Sequence, residues 1–225
     1  MAPQTPQRSG QPGEPGPPLD LGGWIAGQRW FGSKSRRITA THVEDRLRVG
    51  NATLHLVRVG LDDGSMPTYV VPLRDGPGLR DAFDDPAFCR ALLEVMRTGG
   101  RLGRERSALL GRPSAAFPAD LPADPAVCRL TGEQSNTSVV FGERLIVKHF
   151  RHLVPGVSPE LEMSRFLTEH AGFANTPRLA GALEYVAADV AAWTAGVQTQ
   201  LDAARAALGG QIGRASCRER VCVIV

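Results

Sequence analysis

Within Thr131–Phe150, TGEQSNTSVVFGERLIVKHF, one lysine is set into a stretch that otherwise reads as β structure. Thr137–Phe141 is β-branched and aromatic, Gly142-Glu143 is a tight-turn pair, and Leu145–Phe150 is expected to return antiparallel. A side-chain period of two puts Lys148 on the face of Ile146 and Phe150. A lysine flanked by two large apolar neighbours needs a partner, because an unpaired buried ammonium is costly. Ser158-Pro159 predicts a helix start, serine as N-cap and proline at the first helical position. Glu160 falls in the first turn, where the helix dipole favours an acid on its own account, so Glu162 is the expected partner of Lys148. Ahead of the lysine, Gly132–Ser138 forms a polar loop between two strands, with one glycine but with Ser135, Asn136 and Thr137 as donors. Such a loop, a strand lysine and a helix glutamate suggest the gripping of phosphate groups.

The elements that must position these residues are legible in order. Met1–Pro18 is Pro, Gly and Gln with almost no apolar residue, and the leader at 1–20 is expected to be disordered. Trp24, Trp30 and Phe31 are expected core anchors of a first domain at 21–110. Thr41–Val49, Thr53–Val59 and Pro67–Leu73 read as strands, with turns at Asn51 and Asp62-Asp63-Gly64. Asp85-Pro86 opens a helix whose Phe88, Ala91, Leu92, Val95 and Met96 share a face, and Gly99-Gly100 closes it. Arg101–Ala126 has little periodicity, and 111–126 is expected to be a linker. Val127–Leu130 predicts a short strand into the loop, and Arg178–Tyr185 another after the second helix, giving a second unit at 127–186. His149, Arg151 and His152 are expected at an exposed strand end, and Cys89 and Cys128 as buried, reduced thiols.

GEQSNTSVVFGERLIVKHFR, followed by SPELEMSRFLTEHAGFANTPRLAG, resembles the amino-terminal lobe of bacterial maltokinases, relatives of the aminoglycoside phosphotransferases with a protein-kinase-like fold. GQRWFGSKSRR at Gly27–Arg37 looks like the signature of the maltokinase amino-terminal cap. The resemblance covers roughly residues 24–183. It implies an α+β chain, with a sheet-plus-helix cap followed by a kinase-like small lobe and no carboxy-terminal lobe. It also implies ATP and Mg²⁺ as cofactors, and transfer of the γ-phosphate to maltose to give maltose 1-phosphate for glycogen or α-glucan synthesis. Lys148 would then hold the nucleotide phosphates, Glu162 would orient Lys148, and Ser135, Asn136 and Thr137 would lie over the phosphates.

Beyond Tyr185 the resemblance fails. Residues 187–208 are Ala-rich and suit a helix, whereas 209–225, GGQIGRASCRERVCVIV, resembles a translated vector or adaptor sequence. A kinase of this type needs an Asp to accept the hydroxyl proton, an Asn for metal and a further Asp for Mg²⁺. After Lys148 the only aspartates are Asp189 and Asp202, and no His-x-Asp or Asp-Phe pair occurs, so the chain alone is expected to be inactive, with weak or no nucleotide binding. The formal charge of +3 comes largely from Arg214, Arg218 and Arg220, which gives no expectation of a nucleic-acid surface. No apolar run suits a membrane span, and no signal peptide is evident, so a cytoplasmic location is expected. The alternative reading is a non-catalytic module whose cap docks on an enzyme of glucan metabolism, and a nucleic-acid binder using Lys34–Arg37, His149 and Arg151 is a further one.

Overall fold

A computed structural model describes residues 20–103, 107–132, 135–156 and 158–187, and the backbone of 220–224. The expected leader, the Ala-rich helix and most of the expected non-native tail lie outside these residues. The described chain is α+β and all its strand pairs are antiparallel.

The first sheet is built from β1 (Ile38–Val49), β2 (Ala52–Leu61) and β3 (Thr68–Arg74). Gly50, at a φ of 57°, closes the β1–β2 hairpin in register Val49↔Ala52. Alternation along β2 sends Leu54 and Leu56 into one core and Val57, Val59 and Leu61 into a second core on the other side of the sheet. The smaller of these two cores is closed by α1 (Leu21–Gly27), whose N-cap Asp20 accepts from the Gly23 N–H, and by Trp30 and Phe31, both nearly inaccessible.

The larger core is organised by α2 (Pro86–Thr98). Asp85 caps it by accepting from the Ala87 N–H, and Gly99 ends it in the left-handed region at φ 64°. Its buried face, Phe88, Cys89, Leu92, Leu93, Val95 and Met96, meets Leu47, Leu54 and Val70 of the first sheet. The same face meets Val139, Phe141, Val147 and Leu183 of the second. Each such side chain contributes about 1.5–3 kcal/mol of burial, so the helix belongs to both units and not to the cap alone.

The second sheet has seven strands in the order β4-β5-β10-β11-β8-β7-β6. Its members are β4 (Arg101–Gly103), β5 (Ser107–Pro113), β6 (Val127–Arg129), β7 (Asn136–Phe141), β8 (Leu145–Phe150), β10 (Gly181–Ala187) and β11 (Arg220–Ile224). The strand at Ser107–Pro113 was not expected from its pattern. It pairs along its whole length with β10, from Gly181↔Pro113 to Ala187↔Ser107. Gly111 shows why the pattern was weak. A Cβ there would stand 1.9 Å from the Val95 carbonyl oxygen, so α2 lies against bare backbone where an apolar residue would otherwise have signalled a strand. The backbone of β11 occupies the place between β8 and β10.

The two sheets are joined a second time. Immediately after β8, β9 (His152–Leu153) pairs with Thr68 and Tyr69 and becomes the fourth strand of the first sheet, ordered β1-β2-β3-β9.

Candidate functional site

Strand β8 separates the two faces of the second sheet. Val147 and His149 point into the α2 core, whereas Ile146 and Lys148 occupy the other face. That face is open: Ile146 is 56% exposed, and the Lys148 side chain is 41% exposed. The expectation of a lysine buried between apolar neighbours is therefore corrected, because the apolar neighbour itself faces outward.

The partner of Lys148 is also corrected. Helix α3 (Pro159–Glu169) is capped by Ser158, and it places Glu160 Oε1 3.3 Å from Lys148 Nζ. Glu162 is exposed and has no ion-pair partner among the described residues. Residues two apart on a helix project about 200° apart, so only one of these acids can face the strand. The first-turn acid is that one.

The loop is divided in its roles. Residues 133 and 134 lie outside the described residues, Ser135 is exposed and Asn136 is half-buried. Thr137 is turned inward, 2% exposed, and its Oγ1 accepts from Arg151, so its expected place over a phosphate is corrected. The cause is register: Thr137 pairs with the buried His149 and shares its face. Ser138 pairs with Lys148 and so shares the lysine's face. Its hydroxyl is buried with no hydrogen-bond partner among the described residues. Sequence reasoning missed Ser138, although counting register from the turn at Gly142 would have placed it opposite the lysine.

Lys148 and Glu160 line a groove of about 710 Å³ together with Ile146, Ser164, Arg144 and Arg178. That volume suits a nucleotide-sized ligand. Glu143 and Glu160 are the acids on its wall, and no group of three or more His, Cys, Asp or Glu side chains is placed to hold a metal among the described residues. The groove wall thus carries three cations, Arg144, Lys148 and Arg178, against two acids.

Behind β8 lies a different cluster. Arg151 and His149 are fully buried, which corrects the expected exposed strand end and removes both from any nucleic-acid surface. Arg151 pairs with Asp81 and lies over the rings of Trp30 and Phe83, at 4.9 and 5.1 Å from their centroids. Burial lowers the affinity of Arg151 for its proton, and Asp81 opposes the shift. His149 packs on Phe83, with centroids 4.7 Å apart, and neither ring nitrogen has a hydrogen-bond partner among the described residues. Burial, then the Arg151 charge, hold its pKa well below the usual histidine value. Lys34 is also structural, its Nζ donating to the Ala26 and Gln28 carbonyls at the end of α1. Cys89 is buried, and its thiol is pushed up to about 12 by burial, whereas Cys128 is exposed, against expectation.

The molecule is thus an α+β protein of two antiparallel sheets sharing one helix, with a lysine–glutamate groove on the outer face of the larger sheet. Residues 24–92 match the family model described as the maltokinase N-terminal cap domain. The chain is similar to a solved structure described as glucosamine kinase in complex with glucosamine, ADP and inorganic phosphate. That likeness has 16% identity and a TM-score of 0.46, over 75% of this chain and 37% of that one. A second glucosamine kinase structure, crystal form A, is similar at 17% identity and a TM-score of 0.45, over 75% of this chain and 38% of that one. The chain therefore spans less than two-fifths of the length of these solved chains. Among the described residues no helix is long and apolar enough to cross a membrane.

Proposed function

We propose that this chain is the amino-terminal part of a maltokinase-type sugar kinase, and that the Lys148 groove grips the phosphates of ATP. The observation that carries the reading is the open Lys148–Glu160 pair in a nucleotide-sized groove along the β7–β8 hairpin, where Arg144 and Arg178 add two further cations. Lys148 supplies a point charge for phosphate oxygens, Glu160 holds its ammonium in place, and Ser135, Asn136 and Ser138 bring donors to the loop and strand above. When bound, Mg²⁺ would neutralise phosphate charge, but its ligands are not among the described residues.

In the complete enzyme the acceptor would be the anomeric hydroxyl of maltose and the product maltose 1-phosphate, feeding glycogen or α-glucan synthesis in the cytoplasm. The chain by itself carries the grip and not the acid–base groups, so it binds ATP weakly and transfers no phosphate. Maltose-dependent ADP release by the purified chain, above that of Lys148→Ala, would overturn the second half of this statement. Loss of ATP binding in Lys148→Ala, against retained binding in Glu162→Gln, tests the first half. The alternative, a cap that docks on a partner of glucan metabolism, has less to stand on. Of the large apolar residues exposed among those described, Met66 alone lies in 24–92, while Met163 and Phe166 lie on α3 and Ile146 on β8.

A further inference from the structure

Strands β8 and β10 both run antiparallel to β11, which meets the groove at Ile224, the partner of His149 on one side and of Leu183 on the other. From that level towards the β7–β8 turn, residues 145–148 pair with β7, and Gly181 and Ala182 pair with β5. Neither stretch has a second strand partner among the described residues. Their other edges face each other across the groove, lined by 144–148 on one bank and by 178–181 on the other. Where β11 lies between them, β8 and β10 are two strand spacings apart, about 9.5 Å. The cleft is therefore one strand wide and, along 145–148, about 13 Å long.

Two arginines close its far end. Arg144 stands five residues before His149, and Arg178 five before Leu183, so the register that aligns His149 with Leu183 also brings the arginines level. Arg178 is exposed and has no hydrogen-bond or ion-pair partner among the described residues. Arg144 pairs with Asp120 at 2.7 Å, an exposed pair that an arriving carboxylate can replace. The floor is apolar: Val147 and Met96 are buried, and a Cβ at Gly181 would lie 3.1 Å from Met96 Cγ. Cross-strand neighbours share a face, so a residue level with Val147 points to that floor and one level with Lys148 points outward beside it.

We propose that this cleft docks the carboxyl end of a partner polypeptide, added as a strand antiparallel to both β8 and β10. The direction follows from β11: a strand on its line runs from the Lys148 end towards Arg144 and Arg178 and delivers its α-carboxylate to the two guanidinium groups. Its residues level with Leu145 and Val147 are apolar, the one level with Ile146 faces outward, and the one level with Lys148 is acidic. The facing main-chain edges supply affinity, and the arginines select a chain end over an internal segment. The inference goes beyond the phosphate reading and does not rest on it, because the arginines lie at the end away from the Lys148–Glu160 pair.

The probe is a dye-labelled peptide, Gly-Gly-Glu-Val-Thr-Val, with a free carboxyl end, compared with its carboxy-terminal amide. Fluorescence anisotropy with the whole chain is expected to show saturable binding of the acid form, about tenfold weaker for the amide. Arg178→Ala, at an exposed position that leaves the fold intact, should weaken the acid form by about three- to tenfold and leave the amide unchanged. Arg36→Ala, which removes an exposed cation outside the groove, should change neither. With the acid peptide bound, hydrogen exchange should slow at 145–148 and at 181–182.

No saturable binding up to about 1 mM overturns the inference, as does equal affinity for acid and amide. Equal weakening in Arg36→Ala, or protection confined to other strands, overturns it too. If ATP binds and depends on Lys148 while the peptide does not bind, the docking site alone fails. If the peptide binds as stated to a chain that binds no ATP, the phosphate reading fails and the docking site stands.

Discussion

Two ion pairs hang from the end of strand β8, three residues apart, and they face different surroundings. Arg151–Asp81 is sealed, at 0% and 5% side-chain exposure, whereas Lys148–Glu160 stands at 41% and 47%. The inner pair had to give up two hydration shells, and it is held by Thr137, Arg129 and two aromatic rings. The outer pair gave up little and contributes at most about 1 kcal/mol. Stability thus explains little of the outer pair. It keeps a cation in contact with water and able to exchange its carboxylate for an arriving anion. The inner pair is architecture, and the outer one is available to a ligand.

The comparison can be broken most sharply at its buried end. Arg151→Ala is expected to cost about 3–5 kcal/mol, read as a fall in the urea midpoint, and a loss below 1 kcal/mol would mean that the inner pair is not sealed. Next in size, Gly111→Ala pushes a methyl into the Val95 carbonyl, at 1.9 Å for an unrelaxed chain. Overpacking of this kind should cost about 1–3 kcal/mol, and a neutral result would show that α2 does not lie on β5.

Acid is a milder probe of the same interior. His149 has a depressed folded-state pKa, so below about pH 6.5 the unfolded chain binds a proton that the folded chain refuses. Stability should be complete above that pH and decline as pH falls, by up to about 1.4 kcal/mol per pH unit for this group. His149→Phe should flatten the decline, leaving the part due to His55 and His152, which burial also lowers. A wild-type chain that gains stability on going from pH 7.5 to 5.5 would refute the neutral buried ring. The smallest stability effect is expected at the open pair, where Lys148→Ala and Glu160→Gln should each change the midpoint by less than about 1 kcal/mol. The same two variants should weaken ATP binding, whereas Glu162→Gln should leave it intact.

The strands and helices announced themselves through alternation, caps and turn glycines. β2, β3, α2, β7, β8 and α3 all lie close to where Asn51, Asp85-Pro86, Gly99, Gly142 and Ser158-Pro159 put them. What stayed hidden was long-range. Nothing local says that Gly111 must be bare for a helix to pass, or that His152-Leu153 will find Thr68 and Tyr69. At the site, the lysine was visible as a cation out of pattern in a strand, but its environment was inverted. Ile146 and Val147 are both β-branched, and only α2, arriving from the first sheet, decides which of them is inside. The choice between Glu160 and Glu162 turned on how far a first-turn side chain reaches across to β8, which spacing along one helix does not contain.

The His152–Leu153 strand has a consequence for how the molecule is made. The first sheet is laid down early in synthesis, yet its fourth strand emerges only after α2, β5 and the β7–β8 hairpin have been translated. Until then β3 presents an unpaired edge to its surroundings, open to chaperones or to a neighbouring nascent chain. The stretch that matches the cap family ends at residue 92, inside α2, so the unit that is inherited and the unit that can finish folding differ. Vectorial synthesis therefore leaves the cap waiting for the lobe, and a polypeptide cut between them would stall with its edge exposed.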